Sequence, residues 1–193
     1  MPFAASSRRF LSKNPTSRRL RLDPSTGARR PSVGNIALVT VYLIRHAHAI
    51  DQSSFSDDDA VRPLSDKGRT QARSIAGRRW FNLIEFRSSP AVRCMTTVAP
   101  LAARHGLEVI ADESLAEGSD PTLAMAQIEA WGRGGLILCS HGDLIPELLH
   151  LLELRGAELA GEPRVAKAST WSIESKNGQP TTATLTGPPP NEP

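Results

Sequence analysis

The sequence predicts an α/β protein of three layers, an α/β/α sandwich in which helices cover both faces of a mostly parallel sheet. From residue 38 onward, apolar strand-like segments alternate with segments of helical periodicity, which is the pattern of βα units. Residues 38–45 and 134–140 are apolar on both faces, as the central strands of a covered parallel sheet are. Ligands of such sheets bind beyond the carboxyl ends of the strands, so polar residues that directly follow a strand are the first candidates for a site.

Caps and helix breakers indicate where the other elements begin and end. Ser65 is the predicted N-cap of a helix over residues 66–80. Pro90 suits the first turn of a second helix, which stops at His105 and Gly106. The remaining predicted elements are strands over 82–87 and 107–111, helices over 121–131 and 143–154, and closing strands over 167–175 and 181–185.

The charge is distributed unevenly along the chain. Residues 1–35 hold eight basic residues and one acidic residue, a net charge of +7, whereas the rest of the chain has 15 basic and 19 acidic residues, a net charge of −4. This tail is rich in Ser, Pro and Arg and lacks apolar periodicity, so it is predicted to be disordered. An organelle transit peptide, a polyanion-binding arm and an overcalled translation start all remain open for it. The domain is expected over residues 36–186, with a disordered tip over 187–193.

Composition excludes several classes of function. No apolar run approaches the roughly 18 residues that a membrane-spanning helix needs. The basic character belongs to the tail, so neither a nucleic-acid nor a membrane partner is expected for the domain. Cys94 and Cys139 lie 45 residues apart, show no metal-ligand spacing and are interpreted as buried free thiols in a reducing compartment. A cytoplasmic location is therefore expected, or an organelle if residues 1–35 are a transit peptide.

Three predicted strand ends carry arginine or histidine. Arg45 and His46 follow the first strand, Arg93 lies in the SSPAVR segment after the second, and His141 follows the 134–140 strand. Because such strand ends can converge on one pocket, these four side chains are expected to form a single site. The planar fork of arginine suits phosphate oxygens, and a neutral histidine can attack phosphorus to form a phosphohistidine. We also expect the arginines to depress the pKa of that histidine.

The leaving oxygen of such a reaction needs a proton. Glu117, in the ESLAEG segment, is the first candidate for a carboxylic acid that is kept protonated by the incoming anion. Asp143 and Asp51 are weaker candidates. Arg62 is a candidate for an additional phosphate contact, whereas Ser89 is expected to shape its loop. The run Asp57-Asp58-Asp59 is interpreted as a solvated surface run.

Five segments occur in the order LIRHA, RPLSDKGRTQA, SSPAVR, ESLAEG and LCSHGDLI. In this order they resemble the histidine phosphatase superfamily, the phosphoglycerate-mutase-like group. The compact length is similar to its small branch, which includes phosphohistidine phosphatases of the SixA type and the phosphatase domains joined to some Nudix hydrolases. The resemblance covers residues 38 to about 186. Ala47 stands where many members have glycine.

The resemblance implies a role for each residue of the site. His46 would be the phosphorylated nucleophile, Arg45 and Arg93 would hold the phosphate, and His141 would donate to its oxygens. Glu117 would be the proton donor. The protein would then be a phosphohydrolase without metal or other cofactor, and its partner would be a phosphorylated substrate such as protein phosphohistidine, a nucleotide or a small phosphoester.

Three rival functions remain. His46 and His48 form a His-x-His pair, which is typical of metal hydrolases, but only His141 is well placed to add a ligand. A binding module that has lost turnover would keep a phosphate pocket. A phosphomutase would need inserted segments that retain its intermediate, and the spacings leave little room for them. We expect His48 at the pocket mouth or facing solvent.

Overall fold

A computed structural model describes residues 39–162 and 165–188 of the chain. The tail predicted over 1–35 and most of the tip predicted over 187–193 lie outside these residues. The helices are α1 Asp66–Gly77, α2 Val92–Arg104, α3 Pro121–Ala130 and α4 Leu144–Leu154. The strands are β1 Val39–Arg45, β2 Leu83–Ser88, β3 Val109–Ala111, β4 Gly135–Ser140, β5 Glu158–Ala160, β6 Thr170–Lys176 and β7 Gln179–Thr186. Short 3-10 turns lie at Gln52–Ser54, Asp59–Val61 and Glu113–Leu115.

These strands form one sheet in the order β3-β2-β4-β1-β6-β7-β5. The first four are parallel to one another, β6 is antiparallel to both β1 and β7, and β5 is parallel to β7. A two-residue turn accounts for the hairpin of β6 and β7: Asn177 and Gly178 have φ of 55° and 77°, the positive values that a type I′ turn requires. The predicted mostly parallel sheet is confirmed, with an antiparallel region at its C-terminal strands.

Helices cover both faces of this sheet, which confirms the three-layer prediction. On one face Ile75 of α1 belongs to a core cluster with Phe86 of β2. On the other face Ile128 of α3 and Leu148 of α4 belong to a cluster with Trp171 of β6. All five side chains are fully buried. Such burial stabilises the fold by roughly 1.5–3 kcal/mol for each large apolar side chain.

The start of α1 fixes the loop that leaves β1. Ser65 is the N-cap, as predicted, and its Oγ accepts a hydrogen bond from the N–H of Gly68 at 3.1 Å. Ser65 N also donates to the carbonyl of His48 at 3.0 Å. A Cβ on Gly68 would lie 1.9 Å from that same carbonyl oxygen, so only glycine allows the helix to approach the loop this closely.

Some predicted boundaries are wrong. The helix α1 ends at Gly77, three residues early, because Trp80 turns back and its indole N–H donates to a carbonyl of the last helical turn. Pro90 precedes α2 rather than lying in its first turn, since Ala91 is the N-cap. The strand β5 was not predicted, because three edge residues are too short to show an alternating pattern.

Two further sequence predictions concern the core and the membrane. Cys94 and Cys139 are buried and free, as predicted. Within residues 39–162 and 165–188, no helix is both long and apolar enough to cross a membrane.

Candidate active site

Four side chains that the sequence assigned to a site lie together at the carboxyl edge of the parallel strands. Arg45 ends β1, and the N–H of His46 donates to the carbonyl of Ser140 at 3.0 Å, which ties the end of β1 to the end of β4. The ring centroids of His46 and His141 are 5.3 Å apart. Arg93, in the first turn of α2, places Nη2 3.4 Å from Nδ1 of His141. His46, Arg93 and His141 are only 3%, 2% and 1% exposed, so hydrogen bonds must offset the cost of burying them.

His46 has a fixed tautomer. Its Nδ1 lies 2.8 Å from the carbonyl oxygen of Ala47, and a carbonyl can only accept, so Nδ1 carries the hydrogen. The lone pair is therefore on Nε2. Burial, and next the positive charge of Lys167, lower the pKa of His46 to about 2. We expected the arginines to cause this shift, but Arg93 is the smallest of its causes. The ring is neutral at pH 7, the form that can attack phosphorus.

His141 is held by Ser89 at the end of β2. Ser89 Oγ lies 2.8 Å from Nε2 of His141 and accepts from the N–H of Ala91 at 3.3 Å. This contact holds the ring of His141 through Nε2, and the other ring nitrogen is Nδ1. That Nδ1 faces Arg93 and lies 3.7 Å from a carboxylate oxygen of Glu117. Ser89 thus orients His141, a contact that the sequence interpretation missed.

Two carboxylates flank the buried guanidinium of Arg93. Nη1 lies 2.9 Å from Oδ2 of Asp59, and Nη2 lies 2.6 Å from Oε2 of Glu117. Asp59 also pairs with Nε of Arg62 at 2.7 Å. These arginines lower the pKa of Asp59, most strongly through the hydrogen bond from Arg62. The interpretation of Asp57, Asp58 and Asp59 as a solvated run is therefore wrong for Asp59, which fastens the loop before α1 to the site.

The three candidate acids have different positions. Glu117 reaches the site, because it contacts Arg93, but its side chain is 60% exposed and lies on the solvent side. Asp143 accepts from the N–H of Gly118 at 2.7 Å and so holds the loop that carries Glu117. Asp51 is exposed at the start of the 52–54 turn. The geometry favours Glu117 among them.

Arg62, the candidate extra phosphate contact, borders the site. Besides its pairing with Asp59, its Nη1 donates to the carbonyl of Ile50 at 2.8 Å. Both bonds are made within the loop between β1 and α1. Arg62 is close enough to Lys167 to lower its pKa.

Arg45 lies against the backbone of Gly142. An added Cβ on Gly142 would be 2.6 Å from Cζ and Nη2 of Arg45, so this glycine makes room for the guanidinium. Nη1 of Arg45 donates to the carbonyl of Val165. Its buried Nε has no hydrogen-bond partner among the residues the structure describes.

A cation that the sequence interpretation missed, Lys167, contacts the candidate nucleophile. Its Nζ lies 3.1 Å from Nε2 of His46. The residue precedes β6, and because β6 runs antiparallel to β1, the start of β6 lies beside the end of β1, with Thr170 opposite Ile44. The rule that sites follow strands therefore overlooked it, and only the antiparallel pairing could have indicated it.

Backbone hydrogen bonds fix this segment to the site. The N–H of Ala168 lies 3.2 Å from the carbonyl oxygens of both Arg45 and His46, and Arg45 N donates to the carbonyl of Ser169 at 3.0 Å. Ala168 has φ of 65°, a left-handed conformation that costs a non-glycine residue roughly 1–2 kcal/mol. Strained backbone of this kind concentrates at functional sites.

His48 is tethered to α1. Its Nδ1 lies 2.8 Å from Oγ of Ser65, and its N–H donates to Oε1 of Gln71 at 2.9 Å. The residue is half-buried, and its expected position at the pocket mouth or facing solvent stays a prediction. Among the described residues, no three His, Cys, Asp or Glu side chains are grouped so that they could hold a metal ion.

The charges around the neutral His46 do not balance. The cations are Arg45, Arg62, Arg93 and Lys167, and the nearby carboxylates are Asp59, Glu117 and Asp143. An excess of positive charge in a partly buried pocket attracts anions. The arrangement therefore suits a phosphate group placed against a neutral nucleophile.

Comparison with known proteins identifies similar sequences. A model of the histidine phosphatase superfamily (branch 1) matches residues 41–121. The 8-oxo-(d)GTP phosphatase of Mycolicibacterium smegmatis is 29% identical over 158 residues, which cover 78% of this chain and 48% of that protein. The chain thus spans about half the length of this curated relative.

Solved structures share the fold. The protein histidine phosphatase SixA complexed with tungstate has a TM-score of 0.57 at 22% identity, covering 77% of this chain and 94% of that chain. A phosphoglycerate mutase from Bacillus anthracis str. Sterne has a TM-score of 0.57 at 18% identity, covering 75% and 91%. The phosphoglycerate-mutase-like fold prediction is confirmed.

The family model matches the N-terminal part of the domain. The matched region contains the first four of the five segments that carried the resemblance. The chain is therefore similar to the histidine phosphatase superfamily (branch 1) in sequence over residues 41–121, and it shares the fold of the solved structures above.

Proposed function

We propose that the protein is a metal-independent phosphohydrolase that acts through a phosphohistidine formed on His46. The observation that carries this proposal is the neutral His46 ring, whose Nε2 lone pair faces a pocket with an excess of cations. A nucleophile with its lone pair free of a proton, next to donors for the three equatorial oxygens, is what in-line phosphoryl transfer requires.

The first step transfers the phosphoryl group to the protein. Nε2 of His46 attacks phosphorus, the bond from phosphorus to the leaving oxygen breaks, and that oxygen takes a proton. Arg45, Arg93 and His141 donate to the phosphoryl oxygens while the charge is redistributed. We assign the proton to Glu117, which an incoming phosphate would displace from Arg93 and keep protonated.

The second step is hydrolysis. Glu117, now a carboxylate, accepts a proton from a water molecule as that water attacks phosphorus. The bond between Nε2 and phosphorus breaks, inorganic phosphate leaves, and His46 is neutral again. The partial exposure of Glu117 allows the exchange with solvent that this dual role needs.

Two classes of phosphorylated substrate are favoured by the names of similar proteins. One relative is named an 8-oxo-(d)GTP phosphatase, which suggests a nucleotide. A structural neighbour is named a protein histidine phosphatase, which suggests phosphohistidine on a partner protein. Small phosphoesters are the third class, and the excess of positive charge in the pocket suits the phosphate of each.

The proposal is tested by phosphate release and by trapping of the intermediate. Purified wild-type protein should release phosphate from at least one member of a panel of phosphohistidine protein, nucleotides and small phosphoesters, with full activity after exhaustive chelation. Rapid quenching should show an acid-labile phosphate on the wild-type protein. His46→Ala should lose both, with a drop in turnover of at least about 1,000-fold.

Other results would identify the rival functions. Tight binding of phosphate compounds without any release would indicate a binding module. Activity that disappears on chelation and returns with a divalent metal would indicate a metal hydrolase. Transfer of the phosphate within a substrate, in place of release to water, would indicate a mutase.

A further inference from the structure

The cations of the pocket differ in what they contact. Arg93 is paired with Asp59 and Glu117, and Arg62 is paired with Asp59. Lys167 has no carboxylate within ion-pair distance among the described residues, and its ammonium instead contacts Nε2 of His46 at 3.1 Å.

This contact has a defined direction. Because Nδ1 of His46 holds its hydrogen against the carbonyl of Ala47, Nε2 can only accept, and the ammonium of Lys167 must be the donor. The ammonium therefore covers the lone pair that has to reach phosphorus. Substrate cannot be attacked until Lys167 moves away from Nε2.

We propose that Lys167 is a substrate-binding residue of the phosphoryl site, whose ammonium leaves Nε2 of His46 when a phosphate enters and then donates to a phosphoryl oxygen. The inference rests on the proposed function, since it assumes that His46 attacks phosphate. Lys167 makes and breaks no covalent bond in this step. It exchanges a hydrogen bond to the nucleophile for one to the anion.

The backbone and the side chain of Lys167 suit this exchange. The following residues, Ala168 and Ser169, are hydrogen-bonded to the end of β1, so the anchor of the side chain is fixed. The flexible four-carbon stem lets the ammonium move, which the planar guanidinium of a bidentate arginine does less readily. A half-buried ammonium facing other cations is repelled in the empty pocket, and a phosphate dianion relieves this repulsion.

The charged and titratable groups that face Lys167 come from several elements. They are Arg45 and His46 at the end of β1, Arg62 before α1, Arg93 in α2 and Glu117 after β3. Burial first, and then the three arginines, lower the pKa of Lys167 to about 8, while Glu117 opposes this shift. The ammonium is charged below that pH and neutral above it. Anion affinity of the free protein should therefore decline as the pH rises through about 8.

Tungstate binding tests the inference without requiring turnover. Titration calorimetry at pH 7 should show that Lys167→Met binds tungstate about 10- to 100-fold more weakly than wild type, as expected for one charge-assisted hydrogen bond. Lys167→Arg should lose far less. Lys176→Met is the matched control, because Lys176 is an exposed lysine at the end of β6, and it should bind like wild type.

The pH dependence separates a binding role from a structural one. Between pH 6.5 and 9.5, wild-type affinity for tungstate should fall with a midpoint near 8, whereas Lys167→Arg should keep its affinity across this range. Thermal melting of each variant checks that it is folded. If a folded Lys167→Met binds tungstate within two-fold of wild type, or if Lys167→Arg keeps the alkaline decline, the inference is wrong.

Its failure can be told apart from failure of the proposed function. A wild-type protein that binds tungstate but never carries an acid-labile phosphate contradicts the phosphohistidine mechanism, and the comparison of Lys167 variants still decides the binding role. Normal turnover and labelling in Lys167→Met, together with unchanged tungstate affinity, contradicts only the role of Lys167.

Discussion

The parallel and antiparallel regions of the sheet meet at β1 and contribute to the pocket in opposite ways. The parallel region, β3-β2-β4-β1, supplies Arg45 from the end of a strand and His46, Arg93 and His141 from segments that follow strands. The antiparallel region supplies Lys167 from the segment that precedes β6. Both sets reach the same edge, because the start of an antiparallel strand lies beside the end of its neighbour.

Burial also differs between the two regions. Every residue of β4 is buried, whereas β7 alternates between buried and exposed positions. On β6 and β7 the side chains of Ile173 and Ala183 face the core, and the neighbouring pair Ser172 and Thr184 occupies the opposite face. We infer that tight packing holds the groups of the parallel region in place, and that local backbone bonds hold the one group from the antiparallel region.

Among the changes that compare the two regions, the largest effect should come from crowding the parallel region. Gly142→Ala places a Cβ 2.6 Å from the Arg45 guanidinium, which must move. We expect kcat/KM to fall by about 100-fold, the scale of a misplacement near 1 Å, with little change in Tm. Gly132→Ala is the control, since nothing lies within 4 Å of its added Cβ. Unchanged kinetics in Gly142→Ala would mean that the position of Arg45 is not critical.

An intermediate effect should appear in the pH dependence of stability. The pKa of His46 falls from 6.5 in the unfolded chain to about 2 in the fold, so between these values only the unfolded chain takes up the proton. The free energy of unfolding therefore decreases as the pH falls below 6.5. Above pH 6.5 the contribution of neutral His46 to the free energy of unfolding is fully present. Urea titrations from pH 6 to pH 4.5 should show wild type losing about 1.4 kcal/mol per pH unit more than His46→Gln. Parallel curves for the two proteins would contradict the burial of a neutral His46.

The smallest effect is expected on the exposed face of the antiparallel region. Thr184→Ala should change the free energy of unfolding by less than about 0.5 kcal/mol and leave kcat/KM unchanged, because Thr184 is exposed and far from tight packing. Ile173→Val, on the buried face, is the matched comparison and should cost about 1 kcal/mol. Urea denaturation measures both. If Thr184→Ala lowers the free energy of unfolding by more than 1 kcal/mol, this face is more tightly packed than the exposure of Thr184 indicates.

Much of the fold and part of the site could be predicted from local patterns. Continuous apolar runs identified β1 and β4 because both faces of those strands are covered, and Ser65 identified the start of α1 because capping is a local interaction. Arg45, His46, Arg93 and His141 were found because each follows a predicted strand. Their roles in the reaction stay predictions.

The contacts made across the fold could not be predicted. Asp59 looked like part of a solvated run, yet it pairs with Arg93, which lies 34 positions further along the chain. Ser89 looked like a loop residue, yet it orients His141. In both cases the partner residue is distant in sequence. The local sequence around a polar residue does not show whether its side chain will contact such a distant partner or solvent.

The sequence by itself determined the layered α/β fold, the family resemblance and four of the polar groups at the pocket, because strand periodicity and the position after a strand are local properties. Only the tertiary structure decided that Lys167 meets His46, that Glu117 rather than Asp143 lies beside Arg93, and that His48 turns to α1. These facts depend on the order and direction of strands in the sheet. That order is set by the packing of segments that are distant in sequence, and it cannot be read from any short stretch of the sequence.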